Sequence, residues 1–292
     1  LCLLNLLSPM HRAVHGLQAL CRTWVPPLSR ALRTSAASST YDAVIIGGGV
    51  VGCACALELS RKGHKTLNVD MLPSPGYGST SSSSSIVRLF YSALDSCKLS
   101  WEAYHGWENW AEYLEATDSE ELCTFHRTGG LVLDVPASPE CQTFLSRVHA
   151  SFETLGIPCE KWDGADLRMR LPYLATRSYY PPQRVDNDRF GEENGTEIGG
   201  GLFTKHAGYV SDPQLATRNL MDAARRHGAT FLGGSQVTAI RHNGPGDRVS
   251  AAVLEDGSVI EAPVLINAAG PHSGAVHELA FKGASVVDDS KV

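Results

Sequence analysis

The sequence predicts an α/β fold in which one discontinuous domain carries an α+β segment inserted between its two parts. Three observations carry that reading. A short apolar run, Tyr41-Asp-Ala-Val-Ile-Ile46, enters Gly47-Gly-Gly-Val-Val-Gly52 and a helical stretch, and Lys65-Thr-Leu-Asn-Val69 then ends at Asp70. The pattern next breaks into Gly76-Tyr-Gly-Ser-Thr-Ser-Ser-Ser-Ser-Ser85 and an aromatic helix, where a third strand of the same kind would otherwise follow. Strand-like runs that could rejoin the first sheet return only near residue 202 and close with Val264-Leu-Ile-Asn-Ala-Ala-Gly270.

The first forty residues stand apart from this pattern. They hold Arg12, Arg22, Arg30 and Arg33 with no acid, and they finish in serine and alanine. That is the composition of a mitochondrial presequence, so residues 1–40 are set aside from fold reasoning. Leu1 to Leu7 is too short for a secretory apolar core, and Met10 is the more natural start. The whole chain carries −6, so with the leader's +4 removed the body carries −10. An acidic body excludes nucleic acid and an anionic membrane surface as partners. No apolar run reaches the ~18–20 residues that a membrane-spanning helix requires. The eight cysteines are scattered with no pair at metal-ligand spacing, as expected of packed thiols in a reducing compartment.

The elements follow from local pattern. A strand over 41–46 leads to a helix ending near Lys62, with Gly63 as its cap, and then to a strand over 65–69. A long helix is expected from Leu94 to Glu115, with Tyr104, Trp107, Ala111 and Leu114 on its inner face. Gly129 to Leu133 reads as a strand, Ser138 to Leu155 as an amphipathic helix, and 172–201 as an irregular insertion rich in proline and glycine. A strand over 201–204 precedes a helix capped by Asp212, started by Pro213 and stopped by Gly228. Arg248–Leu254 and Ser258–Glu261 alternate about Asp256-Gly257, a hairpin signal. Val264 to Gly270 reads as a buried strand, and the chain from Phe281 as a tail.

Gly47-x-Gly49-x-x-Gly52 between a strand and a helix lets the backbone approach a pyrophosphate at the helix N-terminus. Asp70, 18 residues after Gly52, stands where an acid accepts hydrogen bonds from adenosine ribose. A nicotinamide protein would continue with further β-α units of the same sheet. The break into serines is instead what a glutathione-reductase-type flavoprotein shows, so the dinucleotide is expected to be FAD. The serine hydroxyls and N–H groups then become donors to it. Arg88 sits among Ile86, Val87, Leu89 and Phe90, and burial of a guanidinium there demands an anion. A cofactor, a substrate carboxylate or an acidic side chain would each serve.

Together, "YDAVIIGGGVVG", "GSTSSSSSIVRLFYS", "GYVSDPQLATRNLMDAARRHGA" and "LINAAGPHS" resemble the FAD-dependent amine and amino-acid oxidoreductases, the group of D-amino-acid oxidase and the sarcosine oxidases. The likeness is nearest to sarcosine oxidase beta-subunit relatives and covers about residues 41–280. It implies a discontinuous FAD-binding Rossmann-like domain over 41–95 and 202–280, with a partial substrate-side domain over 96–201. It also implies roles. Gly47, Gly49 and Gly52 would hold the pyrophosphate and Asp70 the ribose, where the family more often has glutamate. Ser79, Thr80, Ser81, Ser84 and Ser85 would wrap the flavin side, Val237 would meet the adenine, and Ala269 and Gly270 would close the pocket. Arg88 matches an arginine beside flavin and substrate carboxylate. Monomeric sarcosine oxidases keep another arginine where this chain has Ser85. His272 is a second catalytic candidate, and a hydrogen-bonded structural histidine is its plainer reading.

The activity implied is oxidation of the C–N bond of a sarcosine-like amine or amino acid by hydride transfer to flavin, with oxygen or an electron-transfer protein as acceptor. Oxidation of a 2-hydroxy acid, or flavin binding without catalysis, are the rivals. The family pattern runs on well past residue 281, so a chain ending at Val292 is expected to be inert by itself. Residues 10–40 fused to a fluorescent reporter are expected to carry it into mitochondria and to be cleaved between about Arg30 and Tyr41. Diffuse cytosolic fluorescence would refute the presequence.

Overall fold

A computed structural model of the chain describes residues 40–244 and 248–281. The expected presequence, apart from Thr40, and the expected tail, apart from Phe281, lie outside the described residues. The chain divides into two units, the second formed by Ser84–Ser211 and the first by the segments on either side of it. In chain order, β1 (Ala43–Ile46), α1 (Val50–Arg61) and β2 (Thr66–Val69) belong to the first unit. The second contains β3 (Ile86–Val87), α2 (Leu94–Glu108), α3 (Trp110–Leu114), β4 (Phe125–His126) and β5 (Gly130–Asp134). It continues with α4 (Pro139–Leu155), β6 (Glu160–Asp163), α5 (Gly164–Arg170), β7 (Gly200–Thr204) and β8 (Gly208–Val210). The chain then returns to the first unit with α6 (Pro213–Arg226), β9 (Thr230–Leu232), β10 (Val237–His242) and β11 (Val249–Leu254). β12 (Val259–Glu261), β13 (Val264–Asn267) and α7 (Ser273–Phe281) complete it.

The first unit is built on a parallel sheet of order β13-β1-β2-β9. Strand β1 pairs Ala43 with Val264 on one side and with Thr66 on the other, so β1 and β2 are central and buried throughout. Alternate side chains divide between two layers. Val44, Ile46, Leu67 and Val69 join Leu232, Val237, Ala252, Leu254 and Ile260 in one core, which ties the sheet to the antiparallel sheet β10-β11-β12. On the other face α1 lies against β1 and β2, and α6 against α1. The buried residues of these helices include Gly52, Cys53, Ala56, Ala216, Ala223 and Ala224, small enough for two helix backbones to close up.

The second unit has two antiparallel sheets of three strands, ordered β3-β8-β4 and β5-β7-β6. Its core gathers Leu89, Phe90, Tyr104, Val148, Phe152 and Leu202, with Phe90 and Phe152 stacked at 5.7 Å. Helix α4 starts where Ser138 Oγ accepts the Cys141 N–H at 3.2 Å and stops at Gly156 in the left-handed conformation.

Four expectations need correction. The units divide at Ser83/Ser84 and Ser211/Asp212, not near 95 and 202. The reason is hydrogen bonding: Ile86 and Val87 pair with Tyr209 and Gly208, and β7 pairs with both β5 and β6. The long helix 94–115 is two helices, broken at Asn109 (φ −117°, ψ 47°), whose side-chain amide bonds the His105 carbonyl at 3.0 Å. That break turns the inner face, so Trp110 and Leu114 are buried while Ala111 is exposed. Among the described residues β13 is an edge strand paired only with β1, and Val264 is 47% exposed. Phe281 ends helix α7 and is not the start of a tail. Strand β9, parallel to β2, was not legible as a strand before the fold brought Leu67 beside Thr230.

Helix α6 is the best-capped helix of the first unit: Asp212 Oδ1 accepts the Gln214 and Leu215 N–H groups at 2.8 and 2.9 Å, with Pro213 in the first turn. Replacing Asp212 by alanine leaves both donors without that acceptor and is expected to cost about 1 kcal/mol of stability. Urea denaturation of the two proteins checks it, and an unchanged midpoint would refute the cap's contribution.

Candidate functional site

The turn from β1 into α1 is shaped by contacts that exclude side chains. Gly47 has φ +123°, and a Cβ there would lie 2.3 Å from the Ala268 carbonyl oxygen at the end of β13. A Cβ on Gly52 would lie 2.1 Å from the Gly47 carbonyl oxygen. Both positions therefore admit only glycine without moving backbone. Gly49 differs: among the described residues the single atom within 4 Å of its absent Cβ is Thr80 Oγ1 at 3.2 Å, and they leave the approach to the helix start otherwise open. Gly49 is the N-cap and offers no side-chain oxygen, and no acid lies in the first turn of α1. A helix N-terminus with unmet N–H groups and an open approach suits an anion.

Side chains from outside the loop hold it in shape. Asp70 Oδ2 accepts the Gly48 N–H at 2.6 Å, and its Oδ1 accepts the Leu72 N–H at 2.7 Å. The Asp70 backbone also takes part, accepting the Ser235 N–H at 2.9 Å and donating to the Leu232 carbonyl at 3.0 Å. Asp70 thus braces the glycine loop while keeping carboxylate lone pairs for further donors. Thr80 Oγ1 accepts the Val50 N–H at 3.2 Å and so supplies the cap that Gly49 cannot. Asn68, fully buried on β2, donates from Nδ2 to the Gly47 and Gly52 carbonyls at 3.2 and 3.0 Å. Behind them Cys53 places its thiol 3.4 Å from the Gly48 carbonyl, and burial pushes that thiol up to about 12. It is a packing residue, as its position on the helix suggested.

The structure collects some of the sequence-chosen residues and separates others. Gly47, Gly49, Gly52, Asp70 and Thr80 come together, and the 268–270 turn joins them through Ala268, whose N–H bonds the Ile46 carbonyl at 2.9 Å. Ala269 and Gly270 follow at the start of a short 3₁₀ turn. Val237 opens β10 two residues after Ser235, with its side chain buried in the core and its backbone paired to Leu254. The serine run is not a continuous wrap. Ser79, Thr80 and Ser81 lie in the first unit, folded into tight turns in which the Ser81 hydroxyl bonds the Gly78 carbonyl at 2.9 Å. Ser84 and Ser85 belong to the second unit, where the Ser85 carbonyl accepts the Val210 N–H.

Arg88 is also in the second unit, and it is exposed, not buried. After the short strand β3, Leu89 and Phe90 enter the core, while Ile86 is 65% exposed and the Arg88 guanidinium lies over the Tyr91 ring at 5.4 Å. His272 sits in the 3₁₀ turn with an exposed side chain; its backbone N–H bonds the Ala269 carbonyl at 3.0 Å. The two residues that the sequence did not single out are Asn68 and, in its capping role, Thr80. A trace of Asn68 was present: Thr66-Leu67-Asn68-Val69 alternates polar and apolar, in a strand that the fold buries throughout.

A loop of this shape in a parallel sheet defines a dinucleotide-binding fold, and the comparisons with known proteins give its family. The chain belongs to the DAO family of FAD-dependent oxidoreductases, whose model matches residues 42–288. It is 25% identical over 257 residues to hydrogen cyanide synthase subunit HcnC of Pseudomonas aeruginosa, covering 82% of this chain and 60% of that protein. It is 27% identical over 214 residues to N-methyl-L-tryptophan oxidase of Escherichia coli, covering 73% of this chain and 50% of that one. Among solved structures, L-proline dehydrogenase from P. horikoshii is similar with a TM-score of 0.66 at 18% identity, over 85% of this chain and 58% of that one. Glycine oxidase from Geobacillus kaustophilus is similar with a TM-score of 0.60 at 20% identity, over 84% and 58%. The chain thus spans between half and three fifths of the length of these relatives.

The open approach at Gly49 generates a prediction. Valine at Gly49 would place branched carbons against Thr80 and over the helix N-terminus. FAD binding, measured by flavin absorbance of the purified protein, is expected to be lost while the fold remains. Retained flavin at wild-type stoichiometry would refute it.

Proposed function

We propose that this chain provides the FAD-binding part of an enzyme that oxidises the C–N bond of a secondary amine or amino acid, of the sarcosine-like kind. The observation that carries the proposal is the preformed glycine loop, open only at Gly49, in a chain matched to the family over nearly all its described length. Asp70 would hold the adenosine ribose, Gly47, Gly49 and Gly52 the pyrophosphate, Ser79 to Ser81 the flavin side and Val237 the adenine, with Ala269 and Gly270 closing the pocket. The first unit fits the group: Gly47 and Gly52 of the loop admit no Cβ, Gly49 has only Thr80 Oγ1 near its absent Cβ among the described residues, and no acid lies in the first turn of α1.

When bound, FAD supplies the two-electron acceptor for a hydride from the carbon beside nitrogen. The protein's part is to position and to balance charge. Arg88, exposed on the second unit, is the cation proposed for the substrate carboxylate, where its planar fork suits two oxygens. The relatives support an amine substrate by their names, N-methyl-L-tryptophan oxidase, glycine oxidase and L-proline dehydrogenase. Electrons would leave to oxygen or to an electron-transfer protein, and the arginine-bearing leader supports a mitochondrial setting.

In the complete protein, with these residues continued by a family-like C-terminal half, anaerobic mixing with N-methylglycine and other small amino acids is expected to bleach the flavin absorbance, and 2-hydroxyglutarate to leave it unchanged. In that complete protein the Arg88→Ala variant should keep its flavin and lose about ten- to a hundredfold in kcat/KM, the loss of one charge-assisted hydrogen bond. Bleaching by the hydroxy acid alone, or Arg88→Ala kinetics equal to wild type, would overturn the corresponding part of the reading.

A further inference from the structure

We infer that Asn68 is a positioning residue for cofactor binding: its side-chain amide clamps the two ends of the glycine loop and so fixes the loop in its binding shape. The inference rests on the dinucleotide reading of that loop. Asn68 lies in the centre of β2, with Leu67 and Val69 directed into the apolar core and Thr66 and Asn68 on the face that α1 covers. Strands buried on both faces of a parallel sheet are normally apolar throughout. A fully buried amide at such a position is unfavourable unless its polar atoms are met.

The partners of Asn68 show what it gives in return. Its Nδ2 carries two hydrogens, and two carbonyls receive them: Gly47, where the chain leaves β1, and Gly52, in the first turn of α1. The orientation is fixed by chemistry, since the reverse placement would set three oxygens against one another. These carbonyls belong to the two glycines whose Cα hydrogens pack nearly in contact with neighbouring backbone. Between them run Gly48, whose N–H is held by Asp70, and Gly49 and Val50 at the helix start. The amide therefore closes a short loop whose middle presents N–H groups. Its Oδ1 is buried and has no hydrogen-bond partner among the described residues. A residue selected for stability alone would not keep an unmet buried acceptor beside an α-helix. Replacing Asn68 by valine removes that unmet acceptor, which offsets part of the cost of the two lost hydrogen bonds. Stability and loop geometry should therefore separate in the Asn68→Val protein.

The test compares wild type, Asn68→Val and Asn68→Thr by thermal unfolding of the flavin-free proteins and by FAD titration followed through flavin fluorescence. Asn68→Val is expected to unfold within a few degrees of wild type and to bind FAD at least tenfold more weakly. Asn68→Thr keeps one donor and is expected to fall between the two. Should Asn68→Val fail to fold, the threonine variant carries the comparison with wild type. Equal affinity for FAD in the variants overturns the inference. So does a loss of affinity that appears only with a matching fall in the unfolding temperature, which would make Asn68 part of the general packing. A wild-type protein that does not bind FAD overturns both this inference and the dinucleotide reading, whereas a normal wild type with normal variants overturns this inference alone.

Discussion

The first unit depends on one close contact, the approach of the first turn of α1 to the backbone where β1 ends. With the position of a Gly52 Cβ only 2.1 Å from the Gly47 carbonyl, no other residue lets the helix start so near the sheet. The gain is directional. The helix N-terminus is brought to the C-terminal end of the parallel strands, the place where such sheets take ligands. The approach at Gly47 from the other side, 2.3 Å from the Ala268 carbonyl, fixes β13 against the same turn. Sheet order, helix position and site shape thus share a single steric cause.

Glycine permits this geometry but does not enforce it, since it also frees the backbone to leave it. The enforcement comes from polar groups on three other segments: Asn68 from within β2, Asp70 from its end, and Thr80 from the serine-rich turns. Asp70 and Thr80 meet N–H groups of the turn and helix start, and Asn68 ties the Gly47 carbonyl to the Gly52 carbonyl. The serine run acquires meaning in the same way. Its first part folds back through bonds such as Ser81 N–H to the Gly76 carbonyl, and that turn is what carries Thr80 to the helix start.

The second unit follows a different logic. Its strands are short and antiparallel, and its core depends on large aromatic and aliphatic side chains gathered from α2, α4 and β7. Tyr104, fully buried, stacks on Trp101 at 5.4 Å and donates its hydroxyl to Glu108 at 3.0 Å, so that burial does not strand the phenol. Burial in the same aromatic group holds the His206 imidazole below its usual range. Little here resembles the helix-start chemistry of the first unit, and the surface it leaves open bears Arg88.

Much of the first unit could be read from the chain alone. The βαβ elements, the caps at Asp212 and Gly63, the hairpin about Asp256-Gly257 and the glycine loop all depend on residues near one another in sequence, where period, turn chemistry and capping act directly. The family likeness was legible for the same reason, since its motifs are local. Long-range pairing decided the rest. The unit boundaries moved because β3 found β8 across more than a hundred intervening positions, and β9 became a strand only beside β2. Arg88 was expected to be buried from its apolar neighbours, but it follows the two-residue strand β3 as an exposed residue, and only Leu89 and Phe90 beyond it enter the core. Asn68 became legible only when the fold showed which carbonyls its amide meets, because hydrogen-bond partners 16 and 21 residues away are chosen by packing and leave no mark on neighbouring residues.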